Sequence, residues 1–332
     1  MNSFGRIFRV TIYGESHGPS LGIIVDGCPS GILLEEKDFE RDIQRRNPPL
    51  EGTTPRKEAD RPQLLSGVYE GKTTGSPIHM MFANTDIDSG VYEAFKDVPR
   101  PGHADYTARK KFGDFHDTRG GGHFSGRLTL GIVAAGVVAK KAITPISIQT
   151  KLTEAGGSAH IQEAIKRAQK AKNSIGGIVE CEAVGVPVGL GEPFFDSVES
   201  VLSHILFSIP AIKGVEFGSG FRSAQMTGKE HNDRIIDKDG TTETNHSGGI
   251  NGGITNGNPL LFRVAVKPTA SIPQIQQTIN LKTGQLTDLE IQGRHDTCIA
   301  LRIPVIVEAA TAIVLADLML LEQQTSRIAP SS

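Results

Sequence analysis

The sequence predicts a single α/β domain, and three features predict it. Short β-branched runs alternate with amphipathic or apolar segments of helical length along the whole chain. Glycine and proline, at 38 and 18 residues, punctuate those segments at short intervals. Neither a repeat of solenoid length nor a clean linker divides the 332 residues, which suffice to bury a sizeable core.

The first elements are two strands. Ile7, Phe8, Val10, Ile12 and Tyr13 make one, "LGIIV" makes the next, and "GESHG" lies between them. Residues 35–46 form an amphipathic helix that, with Leu34, turns Phe39 and Ile43 inward and stops at Pro48 and Pro49. Strands follow in "QLLSGVYEG" and "SPIHMMFAN". Residues 97–125 are rich in His, Arg, Asp and Gly and read as a site-lining loop with one short helix over 106–112. "RLTLGIVAAGVVAKKAI" is apolar nearly all round, the mark of a buried helix. At ~1.5 Å per residue it spans only about 26 Å and closes on two lysines, so a membrane helix is the weaker reading. Its amino end follows Gly120, Gly121 and Gly122, where free amides would face whatever the loop binds.

Beyond Thr144 the chain alternates strand "ISIQTKL", helix 160–172, strand "IGGIVECEAVGVPVG" and helix 198–209, with Asp196 and Glu199 as a capping box. Strand "GVEFG", the glycine cluster "NHSGGINGGITNGN", strand "PLLFRVAVKP", a loop through Arg294 and a final helix over 305–322 complete it.

Thirty-five Lys and Arg against 37 Asp and Glu leave a net charge of −2, which argues against a general polyanion binder. Any anion must be met locally. Cys28, Cys181 and Cys298 lie far apart without C-x-x-C spacing, so neither a disulfide framework nor a zinc site is expected. No signal core opens the sequence and no stretch reaches the ~20 uncharged apolar residues of a membrane span. A soluble, cytoplasmic protein is expected.

Gly14-Glu15-Ser16-His17-Gly18 fits the G-x-S-x-G pattern of a hydrolase nucleophile elbow, which needs a strand before the serine and a helix after it. Pro19 and a second strand follow instead. A serine hydrolase through Ser16 therefore stands as an alternative only. In "RPGHADYT", Arg100 beside His103 suits phosphate or carboxylate recognition, against the bland reading of a solvated turn. "DTRGGGHFSGR" could cradle a phosphate, but a polar loop leads into it and the spacing is not that of a dinucleotide fingerprint. An arginine-glycine box for RNA predicts repeats and a basic segment, and neither is here. Arg294, His295 and Asp296 adjoin one another, where a surface ion pair is the bland reading. The histidines lack ligand spacing, and no metal is expected. Together, Arg45, Arg46, Arg100, Arg127 and Arg294, with His17 and His103, describe a site for a strongly anionic small molecule.

Ten blocks in order, "GESHG", "RPGHADYT", "DTRGGG", "VAAGVVAKK", "GLGEPFFD", "KGVEFGSGF", "GGINGGI", "KPTAS", "QGRHDTC" and "PVIVEAATAIVLAD", resemble the chorismate synthase family from end to end. The resemblance implies one domain over 1–332 without an attached flavin-reductase domain. It implies two antiparallel sheets packed in the core with helices outside, a β-α-β sandwich. It implies a lyase of the shikimate pathway to aromatic amino acids, which converts 5-enolpyruvylshikimate 3-phosphate to chorismate by anti 1,4-elimination of phosphate. The cofactor implied is reduced FMN with no net redox change; a flavin oxidoreductase is the second alternative. NADPH acting through a separate reductase is the implied electron source, with Arg46 an NADP-binding candidate. A cytoplasmic homotetramer that binds neither nucleic acid nor membrane is implied too.

By the same likeness, His17 protonates the departing phosphate, His103 supplies a proton near flavin N1, and Ser16 with Asp296 relays a proton at flavin N5. Arg45, Arg46, Arg100, Arg127 and Arg294 grip phosphate and carboxylates. The flavin positions are His123, Phe124, Ser125, Pro210, Ala211, Gly252, Lys267, Pro268, Thr269, Ala270, Ser271 and Arg294. Four of them depart from the family's commonest pattern: His123, Phe124, Pro210 in place of Asn, and Ala270 in place of Ser; Gly126 and Leu128 depart in the same stretch.

Overall fold

β1 (Ser3–Phe4), β2 (Arg9–Gly14) and β3 (Ser20–Asp26) lead into α1 (Glu40–Arg46), then β4 (Gln63–Ser66), a ribbon of β5 (Val68–Tyr69) and β6 (Lys72–Thr73), and β7 (Ile78–Ala83). Strands in the order β1-β2-β3-β7-β4 make the first antiparallel sheet. It alternates as a half-buried sheet must: Leu21, Ile23 and Val25 on β3 and Ile78, Met80 and Phe82 on β7 are all buried. α2 (Asp105–Phe112) and α3 (Thr129–Ala142) follow, then β8 (Ser147–Ala155), α4 (Ile161–Lys170), β9 (Gly177–Val184), α5 (Val198–Ser208) and β10 (Ile212–Phe217). The chain closes with the one-turn α6 (Gly228–His231), β11 (Ile250–Asn251), β12 (Ile254–Thr255), β13 (Leu260–Val266), β14 (Gln276–Ile279), β15 (Leu286–Leu289) and α7 (Ile303–Gln324). The second antiparallel sheet runs β10-β13-β9-β8. This computed structural model describes residues 2–48, 50–53, 60–85, 92, 95–291 and 295–324.

The expected β-α-β sandwich is present, but its central helices are inside it. α3 lies on β2 and β3, α7 lies on β8 and β9, and the two helices pack on each other between the sheets. The reason is compositional. Every residue of α3 from Thr129 to Ala139 is buried, and a helix apolar all round has no face to offer water. By length and composition α7 could cross a membrane, contrary to the sequence expectation of no such stretch, yet 83 % of its apolar window is buried within the protein. A Cβ on Gly136 of α3 would stand 2.2 Å from the Cβ of Ala309 on α7, so glycine is what lets these helices approach. Asp317, buried near the end of α7, accepts from the backbone amides of Arg6, Ile7 and Phe8 and so ties the entry to β2 onto the central layer.

Most other expected elements stand within a few residues. The helix expected over 35–46 opens as a 3-10 turn, Glu36–Phe39, before α1. The cap of α5 is Ser197, whose hydroxyl accepts from the Ser200 amide, whereas Asp196 pairs with Arg6. The loop before Arg294 contains the β14–β15 hairpin, which carries too little apolar alternation to announce itself.

Gly136→Val should destabilise the protein by about 1–3 kcal/mol through overpacking, although it replaces a poor helix former. Urea denaturation monitored by far-UV circular dichroism measures the change.

Candidate active site

Gly14 pairs with Leu21 across the β2–β3 hairpin, so Ser16 and His17 occupy its turn. Asn84 pins that turn, its side-chain amide donating to the carbonyls of Glu15 (3.1 Å) and Gly18 (2.8 Å). A strand, β3, follows the serine, so the context of a nucleophile elbow fails. Ser16 and His17 are nonetheless nearly buried, at 3 % and 6 % exposure, under the loop of Gly120, Gly121 and Gly122. That loop needs glycine. All three have positive φ, and a Cβ on Gly120 would fall 2.3 Å from the His17 ring and 2.9 Å from the Ser16 hydroxyl. The Ser16 amide donates to the Gly122 carbonyl at 3.1 Å, which closes the two loops together.

Between the glycines and α3 stands a further 3-10 turn, Gly126–Leu128, so the helix does not begin directly at the glycine loop as expected. This turn carries Arg127 and faces Arg46 at the end of α1. Arg46 donates from Nε to the Thr129 hydroxyl (3.0 Å) and from Nη2 to the Gly126 carbonyl (2.9 Å). Arg127 donates from Nε to Asn84 Oδ1 (2.7 Å) and from Nη1 to Asp60 (3.0 Å). Across from them, Arg302 grips Asp296 with Nε and Nη2 at 2.8 and 3.0 Å. Ser16, His17, Arg46, Arg127, Asp296 and Arg302 line one cavity of about 270 Å³. Among the described residues of its wall, three guanidinium groups face a single carboxylate. Such a wall selects an anion.

Tyr92 joins this cavity to the second imidazole. Its ring meets His17 edge-on at 5.3 Å, and Arg100 lies over both Tyr92 (6.0 Å) and Phe95 (4.5 Å). His103 sits beside Arg100, and its ring faces Gly121, where a Cβ would be 3.7 Å from His103 Cε1. Burial and the Arg100 charge lower the neighbouring His295 imidazole from its ordinary value, outweighing Asp296.

The structure brings together Ser16, His17, Arg46, Arg127 and Asp296, and sets His103 and Arg100 next to them. Arg45 is a correction. Its guanidinium does not reach the cavity wall but forks onto Glu308 of α7 (2.9 and 2.6 Å) and reaches Asp42 (3.1 Å), while Lys140 of α3 bonds both carboxylates. Successive residues of a helix point about 100° apart, and here Arg45 turns to Glu308 while Arg46 turns to Thr129 and Gly126. Arg100 is also spent internally, donating to Asp105 and to Ser271. Arg294 lies outside the described residues.

Of the flavin positions, Lys267 donates to the Gly102 carbonyl, beside His103, and its ammonium is lowered by burial and by Lys213. Its amide donates to the carbonyl of Ala211, a residue at φ 78°. Pro210 and Ser125 line the main cavity and also a second of about 230 Å³ that reaches His123. Phe124 is partly exposed, 6.2 Å from Phe112. Gly252 sits in the β11–β12 turn and is not on either wall. Sequence reasoning missed Arg302, Asn47, Thr129, Tyr92, Asp60 and Asp105. Asp105 stands within the RPGHADYT block and Thr129 within the apolar run, but for all six only the fold shows which neighbour each one meets.

A buried, cation-lined cavity with two imidazoles at its edge defines an enzyme for a small polyanion, equipped to move protons. The comparisons with known proteins make the assignment specific. The family model described as chorismate synthase matches residues 8–320. A chorismate synthase of Chitinophaga pinensis is 57 % identical over 329 residues, covering 99 % of both chains. One of Korarchaeum cryptofilum is 44 % identical, over 95 % of this chain and 96 % of its own. A crystal structure of chorismate synthase superposes with a TM-score of 0.74 at 26 % identity, covering 96 % of this chain and 94 % of that one. The chain belongs to the chorismate synthase family. It is a lyase whose reaction is elimination of phosphate from 5-enolpyruvylshikimate 3-phosphate to give chorismate, and neither alternative reading is supported.

Arg45→Met should cost on the order of 1–3 kcal/mol of stability, less than a fully buried pair because a third of the side chain is exposed, with the substrate KM little changed. Burial opposes ionisation of Asp42 and Glu308, but the cations outweigh it and hold both carboxyls below their ordinary range. Folded carboxyls so lowered contribute stability above the unfolded pKa values of about 3.9 and 4.3, and lose it as pH falls through the folded ones. The gap between wild type and variant should therefore narrow on acidification below pH ~4, as urea titrations at several pH values will show.

Proposed function

We propose that this cavity takes the phosphate and carboxylates of 5-enolpyruvylshikimate 3-phosphate on Arg46, Arg127 and Arg302, with reduced FMN beside them. The observation that carries the reading is the convergence of Ser16, His17, Asp296 and these guanidinium groups on one buried wall. Each arginine is already held by a carbonyl, an amide or a carboxylate, so it needs no reorganisation when charge develops on the leaving group.

The residues present also fit a flavin phosphate. Lys267 adjoins the His103 loop, and Thr269 Oγ1 is a buried hydroxyl without a partner among the described residues. Ser271 stands nearby, against Arg100. Pro210 has no N–H to offer, which leaves Ala211 the one amide donor of that pair. When bound, reduced FMN supplies electron density to the breaking C–O bond and an acceptor for the hydrogen leaving substrate C6. His17 delivers a proton to the departing phosphate oxygen. Ser16, whose hydroxyl lies with the His17 ring under Gly120, hydrogen-bonds in the relay and forms no acyl bond. Asp296, accepting two hydrogen bonds from Arg302, enters that relay as a proton acceptor. His103 holds a proton at the flavin edge. The family likeness supports the rest: reducing equivalents from NADPH through a separate reductase, with Arg46 a contact for it, and a cytoplasmic homotetramer.

Anaerobic incubation with 5-enolpyruvylshikimate 3-phosphate and dithionite-reduced FMN should yield chorismate, read by its absorbance, with many turnovers per flavin. Stoichiometric consumption of reductant would contradict the proposal. His17→Ala and His103→Ala should each slow elimination by about 10²–10⁴-fold while flavin binding, followed by fluorescence, stays near wild type.

A further inference from the structure

Beside the cavity, Asp105 at the start of α2 collects four hydrogen bonds. Its Oδ2 accepts from the Arg100 backbone amide (3.0 Å) and from Arg100 Nε (2.8 Å). Its Oδ1 accepts from Arg100 Nη2 (2.8 Å) and lies 2.6 Å from His103 Nδ1. We infer that Asp105, clamped by Arg100, is the positioning residue for His103: it fixes the Nδ1–H form of the imidazole and turns Nε2 toward the glycine loop. This deepens the proposed function and rests on the proton role assigned there to His103.

Two neighbours compete for Nδ1, and the chemistry decides between them. Arg100 Nη2 lies 3.0 Å away and can only donate, so a bond from it needs Nδ1 bare. A bare nitrogen, however, would set its lone pair against a carboxylate oxygen at 2.6 Å, and that is repulsive. With the proton on Nδ1 the short contact becomes a charge-assisted hydrogen bond, and Nη2 has Asp105 Oδ1 at 2.8 Å instead. Burial works against an ionised Asp105, yet the bonds from Arg100 and His103 outweigh it and hold the carboxyl well below its usual range, so it is an acceptor throughout the working pH. Nε2 is then the exchanging atom, with Gly121 3.8 Å away measured from its absent Cβ. The clamp is itself braced. Arg100 lies over Phe95 and donates from Nη1 to Ser271 at 3.3 Å, so the orientation of His103 is set from the β14 side of the molecule as well as from its own loop.

Other charged or titratable groups near this pair are Lys96, Arg109, Asp114 and His116, which share a small cavity with Asp105, Lys267 at the Gly102 carbonyl, and His295, which feels Arg100. Arg109 is itself paired with Asp97 and Asp114. Asp105 is the carboxylate bonded to the His103 ring. Removing its charge therefore removes the acceptor that holds the proton on Nδ1.

The test uses 15N-histidine-labelled full-length protein, with the His103 signal assigned by its loss in His103→Gln. Wild type should show the proton on Nδ1, and Asp105→Asn should mix the two tautomers. The same variant should lose about 10²–10³-fold in kcat with little change in KM, and Arg100→Lys should fall between it and wild type. A proton on Nε2 in wild type, or an unmixed Nδ1–H tautomer in Asp105→Asn, overturns the assignment. The wild-type tautomer alone decides should Asp105→Asn not fold. If His103→Ala turns over at the wild-type rate while the tautomer behaves as stated, the role given to His103 fails and the positioning by Asp105 survives.

Discussion

Three guanidinium groups on the wall of one small cavity repel one another, and the site exists because each is held by something that cannot move. At an effective dielectric near 20, two unit charges several ångströms apart differ by a few kcal/mol between repulsion and attraction. Arg46 meets that cost with the carbonyl of Gly126, Arg127 with Asn84 and Asp60, and Arg302 with Asp296. The partners come from the turn before α3, the end of β7, the segment before β4 and the loop before α7. Distant parts of the sequence must therefore be folded before the first anion can bind. Among the described residues of the wall guanidinium groups outnumber carboxylates, which suits a phosphorylated dicarboxylate.

The layered architecture supplies the rigidity. With α3 and α7 buried between two sheets, the loops at their amino ends cannot drift apart without opening the core. Gly136 sets the helix separation, and Asp317 anchors the strand that leads to Ser16 and His17. The cluster of Asp42, Arg45, Lys140 and Glu308 fastens α1 to both central helices one residue before Arg46 enters the cavity. Charge is thus used twice along α1, once to hold the fold and once to line the site.

Much of this was legible in the residues. The apolar run over 127–143 announced a buried helix, alternation announced most strands, and the strand after GESHG ruled against an elbow. The ordered motifs identified the family and brought His17, His103, Arg46, Arg127 and Asp296 with it. What stayed hidden depends on distance. Nothing in a sequence separates Arg45 from Arg46 except helical phase, and nothing marks Arg302 until Asp296 is beside it. Asp105 could be read as a helix-start residue until His103 lay 2.6 Å away. The layer order was misjudged for a related reason: apolar periodicity says that a helix is buried without saying between what.

The central claim is that a pre-built set of guanidinium groups recognises the phosphate, and calorimetric titration tests it most directly. With FMN present, 5-enolpyruvylshikimate 3-phosphate should bind at least ~100-fold more tightly than its dephosphorylated analogue, as expected for two or more charge-assisted hydrogen bonds. Arg127→Met should erase most of that difference. Equal affinity for the two compounds in the wild-type protein would contradict the account.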